Sequence, residues 1–145
     1  MYNIYIMIIV DVETTGVNSD KHSIISIGAV DFNNPTNRFS IECSAFPGAH
    51  ADTEALLITG HTKEDIFDAS KPSEAEAVSK FIEWIQNVED HTVAGQNPQF
   101  DVSFLLAASA RAGLNLSLPH RVIDLHSIVW FHIIKLDIIY DVISH

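Results

Sequence analysis

Residues 4–10, IYIMIIV, form an unbroken apolar run that stops abruptly at Asp11. A short run without polar alternation is the pattern of a strand buried on both faces, so the chain is expected to be built around a sheet. The first ten residues carry no basic segment and no cleavage signature, and they are too short to span a membrane. They read as a strand rather than a leader, and the chain is expected to be cytoplasmic. Met7 is an alternative start to Met1, which would make residues 1–6 an extension.

The 145 residues suffice for one domain, and 47% hydrophobic against 19% charged residues is enough to bury a core. Nineteen acids against eight bases leave a formal charge of -11. That excludes a broad basic face of the kind that coats nucleic acid. An enzyme that meets phosphates through bound cations remains open. The lone Cys43 rules out an internal disulfide and a Cys-based zinc site.

After the first strand, Ser23–Phe32 and Arg38–Ser44 read as two more, joined through the turn signal Asn33-Asn34-Pro35. Short connections make these three an antiparallel meander. Glu54–Thr59 reads as a helix stopped by Gly60. Thr62 to Asp65 begins another short turn. Ser73-Glu74-Ala75-Glu76 is a capping box opening a helix to about Val88. His91–Ala94 is a short strand, and Asn97-Pro98 starts a helix running to Gly113. Arg121–Leu125 is a fifth strand, and Ser127 to the end is helical. The order βββ-α-β-α-β-α predicts an α/β fold with a mixed five-stranded sheet flanked by helices.

Two blocks carry chemistry. In Asp11-Val12-Glu13-Thr14-Thr15-Gly16, strand periodicity puts Asp11 and Glu13 on one side and Val12 on the other. Paired carboxylates repel, and a divalent cation such as Mg²⁺ or Mn²⁺ relieves the repulsion. A solvated strand end is the plainer alternative. In Gly95-Gln96-Asn97-Pro98-Gln99-Phe100-Asp101, Asp101 falls in the first helical turn on the face of Leu105 and Ala108, so it points inward. There it either shares the cation or serves the helix dipole.

Together the D-x-E-T-T-G and G-x-N-x-x-F-D blocks resemble the first two motifs of the DEDD, DnaQ-like 3′–5′ exonucleases of the ribonuclease H-like superfamily. Ile58-Thr59-Gly60-His61-Thr62 and Val122-Ile123-Asp124-Leu125 are similar to further family segments, in order over roughly residues 7–130. The resemblance implies Asp11, Glu13 and Asp101 as catalytic metal ligands for two Mg²⁺ or Mn²⁺ ions. It implies Thr14, Thr15, Gly16, Asn97 and Phe100 as substrate-binding, with Asn97 holding the loop that presents Asp101. The partner would be the 3′ end of single-stranded DNA or RNA.

The family closes its site with a His followed five positions later by an Asp. His132 and Asp137 have that spacing, but on a helix five residues separate side chains by about 140°. The chain is therefore expected to be C-terminally incomplete, ending before this third motif, and to turn over weakly or not at all. His22, His50, His61, His91 and His120 are scattered and read as surface or capping residues. His126, just after the fifth strand, is the one best placed to lie near the sheet's carboxyl ends.

Two other functions remain open. One is a binding module that holds a 3′ end without cutting it. The other is a haloacid dehalogenase-like phosphatase, whose D-x-D-x-T nucleophile motif Asp11 to Thr15 approaches. Finally, Ile128 to Ile143 is apolar nearly all round, with only Lys135, Asp137 and Asp141 charged. Too interrupted for a membrane span, it is expected to self-associate through residues 128–143 or to need a covering partner.

Overall fold

The computed structural model describes residues 7–143, with side chains described to residue 136. Five strands form one sheet, β1 (Ile8–Thr14), β2 (Ile24–Asp31), β3 (Arg38–Glu42), β4 (Val93–Gly95) and β5 (Val122–Asp124). Their spatial order is β3-β2-β1-β4-β5. The meander is antiparallel, β1 pairs β4 in parallel, and β4 pairs β5 in parallel. The helices are α1 (Thr53–Thr59), α2 (Lys63–Ile66), α3 (Glu74–Ile85), α4 (Pro98–Arg111) and α5 (Leu125–Ile143). Among the described residues no helix is long and apolar enough to cross a membrane.

The local signals act as their chemistry dictates. Ser73 Oγ accepts the Glu76 amide, and Glu76 Oε2 accepts the Ser73 amide, so the capping box opens α3. A second box, between Thr62 and Asp65, opens α2. Gly60 ends α1 in the left-handed conformation, φ 74°, which glycine adopts without a Cβ penalty. Asn97 precedes α4 as expected, yet it sits at φ 55° and its side chain caps nothing. Its own amide instead donates to Asp124 Oδ1 at 3.2 Å.

The main core lies on one side of the sheet, and a smaller buried cluster gathers Ile25 with Ala45, Leu56 and Ile66. Ile8, Val10 and Val12 of β1 and Ile27 of β2 pack against Val78, Phe81 and Ile85 of α3 and Phe104, Leu105 and Ala108 of α4. Phe81 and Phe104 are wholly buried, each contributing roughly 1.5–3 kcal/mol. The expectation that the first strand is buried on both faces is corrected. Its residues alternate between buried and exposed, because α3 and α4 cover only the Val10–Val12 side. The described strand begins at Ile8, and residues 4–6 of the expected run lie outside the described residues. On the open side a groove of about 660 Å³ runs past Ile9, Asp11, Gly28, Val30, Arg38 and Ser40.

The helix α5 follows β5 without a loop, and every described side chain from Leu125 to Leu136 is exposed. The sequence predicts a helix that self-associates or needs a covering partner. Here no described face is covered. Its direction is set instead by Asp124, which accepts the His126 amide at 3.1 Å and the Ser127 hydroxyl at 2.5 Å.

Candidate active site

Parallel strands gather chemistry at their carboxyl ends, and here β1, β4 and β5 end together. Asp11 and Glu13 stand exposed on the open side of β1, as strand periodicity requires. Val12 between them points into the core. Pairing with β4 is confined to Ile8 and Ile9, so the Val12 amide lies beyond the parallel ladder. The carboxylate of Asp101 takes it, with the Val12 N–H donating to Oδ1 at 2.9 Å. This bond ties the first turn of α4 to the acidic strand end.

Asp101 is 3% exposed. Burial pushes its carboxyl up to about 6, and the negative charges of Asp11 and Glu13 add to the rise, while the Val12 amide opposes it. Glu13 is also raised, first by burial and then by Asp11; His61 pulls the other way. Three carboxylates, two of them with raised proton affinity, are a donor set suited to a hard divalent cation. The chemistry fits a metal. The arrangement is looser, because among the described residues no three His, Cys, Asp or Glu side chains converge as ligands.

The remaining residues divide. Thr14 and Thr15 are 7% and 0% exposed, and their hydroxyls serve the fold. Thr14 Oγ1 donates to the Gly16 carbonyl, and Thr15 Oγ1 donates to the His50 carbonyl at 2.6 Å. Gly16 is buried beside them. Asn97 is exposed, and Phe100 is half-buried, its ring 4.8 Å from that of Phe104. His132 is exposed on α5, and the side chain of Asp137 lies outside the described residues. His126 is exposed with its ring edge toward Trp130.

Sequence reasoning passed over two residues. His61, set aside as scattered, is the histidine whose charge reaches Glu13. Asp124 links the Asn97 loop to the start of α5, and the Ser127 hydroxyl and the Asn97 amide hold its carboxyl below the usual range. The signal for Asp124 was legible: an acid at a strand end, three residues before a Ser, is a helix-capping pattern. His61 falls in the family-like stretch Ile58 to Thr62, but spacing gave it no role, since α1 and the Gly60 turn decide where it lies.

A profile of the exonuclease family, RNase T type, matches residues 8–134. The DNA polymerase III epsilon subunit of Pasteurella multocida is 34% identical over 118 residues, covering 76% of this chain and 44% of that protein. The 3′-5′ DNA exonuclease Cap18 of Escherichia coli is 38% identical over 106 residues, covering 69% of this chain and 54% of its own. The chain thus spans about half the length of these relatives. Exonuclease I of E. coli, crystallised with a dT13 oligonucleotide, superposes with a TM-score of 0.65 at 20% identity, covering 76% of this chain and 24% of that one. This likeness shows the ribonuclease H-like fold, and the family match displaces the phosphatase alternative. A mixed sheet with its acids gathered at one strand end, matched by the family over nearly its whole length, makes this chain a member of the DnaQ-like DEDD exonucleases.

Proposed function

We propose that this domain hydrolyses phosphodiester bonds at the 3′ end of single-stranded nucleic acid. The observation that carries the reading is the Asp101–Val12 bond, which sets a buried carboxylate against the strand bearing Asp11 and Glu13. Asp11 and Glu13, exposed on the open side, and the second oxygen of Asp101 would hold Mg²⁺ or Mn²⁺. Bound there, the cations supply an activated water and charge stabilisation for the departing 3′-oxygen. The overall reaction adds water across the P–O3′ bond, releasing a 5′-mononucleotide and a new 3′-hydroxyl. The Thr14–Gly16 turn would meet the terminal nucleotide through its backbone, since both threonine hydroxyls are engaged within the fold. DNA is the substrate supported by the relatives, one of which is named a DNA exonuclease.

Weak turnover is part of the proposal, because His132 lies exposed on α5 and His126 is exposed too, so neither stands as a general base among the three acids. The lack of a converged ligand cluster among those residues supports a second reading, metal-dependent 3′-end binding without cleavage. A 5′-labelled oligonucleotide incubated with Mg²⁺ or Mn²⁺ separates the two. Stepwise shortening from the 3′ end, lost in Asp11→Asn, Glu13→Gln and Asp101→Asn, supports the exonuclease. Shortening that survives in all three variants would refute the assignment of the site. Metal-dependent binding with no product supports the binding module.

A further inference from the structure

Behind the acidic strand end lies a second cluster that the chemistry above does not use. Gly16 follows β1 by two residues, and a Cβ on it would lie 2.5 Å from the His22 ring and 2.6 Å from Asp52 Oδ2. Only glycine fits so close an approach. His22 is 6% exposed. Its Nδ1 lies 3.0 Å from the Asn18 amide nitrogen and 3.1 Å from the Asn18 carbonyl oxygen, and its Nε2 faces Asp52 Oδ2 at 3.3 Å.

Thr15 is clamped from the same two segments. Its amide donates to the Ser23 carbonyl at 2.9 Å, and its carbonyl accepts the Asp52 amide at 2.7 Å. Its hydroxyl accepts the Ser23 amide at 2.9 Å while donating to His50. The 22–23 segment and the 50–52 segment therefore grip the Thr15–Gly16 peptide from both sides. The His22–Asp52 pair is the side-chain bond that joins the two segments directly across Gly16. Because the threonine side chains face inward, the turn can offer a nucleotide only its backbone. The clamp decides where that backbone stands.

We propose that His22 and Asp52 are positioning residues for the 3′-terminal nucleotide, holding the Thr14–Gly16 backbone in place without touching substrate. The proposal rests on the exonuclease reading. It is tested by binding of the whole chain, with Ca²⁺ in place of Mg²⁺, to a labelled linear single-stranded oligonucleotide and to a circular one of equal length. The wild type should prefer the free 3′ end. Asp52→Ala, at a half-exposed side chain the fold tolerates, should weaken binding to the linear strand about tenfold, as loss of one charge-assisted hydrogen bond implies. Binding to the circle should not change. Asp52→Asn, whose side-chain amide still pairs with Nε2, should restore most of the preference. Gly16→Ala should show the same defect, and the double variant little more, because both break one contact. Equal weakening toward both strands, or none, would overturn the positioning role. A wild type that binds no linear strand would overturn the exonuclease reading and the role together.

Discussion

The Val12 amide donates to Oδ1 of Asp101 at 2.9 Å, across 89 positions of sequence. Val12 is the residue between the two exposed acids of β1, so the bond fixes Asp101 relative to both. It also keeps a carboxyl buried where its proton is held up to about 6. One hydrogen bond thus joins the two blocks that carry the family's chemistry.

Asp101 should make stability fall as pH rises. Its folded-state value lies above the 3.8 of an ordinary aspartate, so the folded chain binds the extra proton between 3.8 and about 6. Stability from this group is full below that window and lost as pH climbs through it, by on the order of 2–3 kcal/mol. Asp101→Asn keeps an acceptor for Val12 and removes the ionisation. In chelator-treated buffer it should flatten this part of the urea-denaturation profile and be the more stable protein at pH 7. A variant less stable than wild type at pH 7 would contradict this.

Asp11 and Asp101 should share a cation. Calorimetric titration with Mn²⁺ should show binding weakened about tenfold or more by Asp11→Asn and likewise by Asp101→Asn, equivalent to about 1.4 kcal/mol or more. Both variants should also melt higher than wild type without metal, because each removes a repelling charge. Mn²⁺ affinity unchanged in either one would separate the two motifs.

Arg111 and Glu74 should matter to stability far more than a surface ion pair. Glu74 is 3% exposed and accepts Arg111 Nη2 and Nε at 2.9 and 3.0 Å, the Ser23 hydroxyl at 2.8 Å and the Ile24 amide at 2.9 Å. Arg111 also donates to the Ser19 carbonyl and stacks over Phe46. Arg111→Met strands a buried carboxylate and should cost about 3–5 kcal/mol. A second substitution, Glu74→Gln, should recover part of that. A cost below about 1 kcal/mol in urea denaturation would place the pair with exposed salt bridges.

Helix α5 should bring copies of the chain together. Eight large apolar side chains between Leu125 and Leu136 are each 43 to 71% exposed. The helix holds one Lys and two Asp, so most of the -11 charge lies elsewhere and two copies meet with least repulsion along it. Sedimentation velocity should show a species larger than the monomer, reverting to monomer in Trp130→Glu/Ile134→Glu. A wild-type monomer at high concentration would contradict the expectation.

The element order was legible because its signals are local. Period-two alternation places Asp11 opposite Val12, and the capping box at Ser73 and the left-handed stop at Gly60 act within one turn of chain. The inward face of Asp101 was legible too, from the helical spacing of Leu105 and Ala108. The partner of Asp101 was not, since the gap beside Val12 arises only where pairing with β4 stops. Nor could the apolar run show that β1 is covered on one side alone. That depends on where α3 and α4 dock, while α5 leaves β5 at Asp124, which accepts the His126 amide and the Ser127 hydroxyl. Gly16 reads in sequence as one letter of a motif. Only the approach of His22 and Asp52, from segments six and thirty-six residues later, explains why that position admits no side chain. Spacing along the chain determines what a short element is and which way its side chains point. Which element meets which is decided by long-range packing, and there the site is assembled.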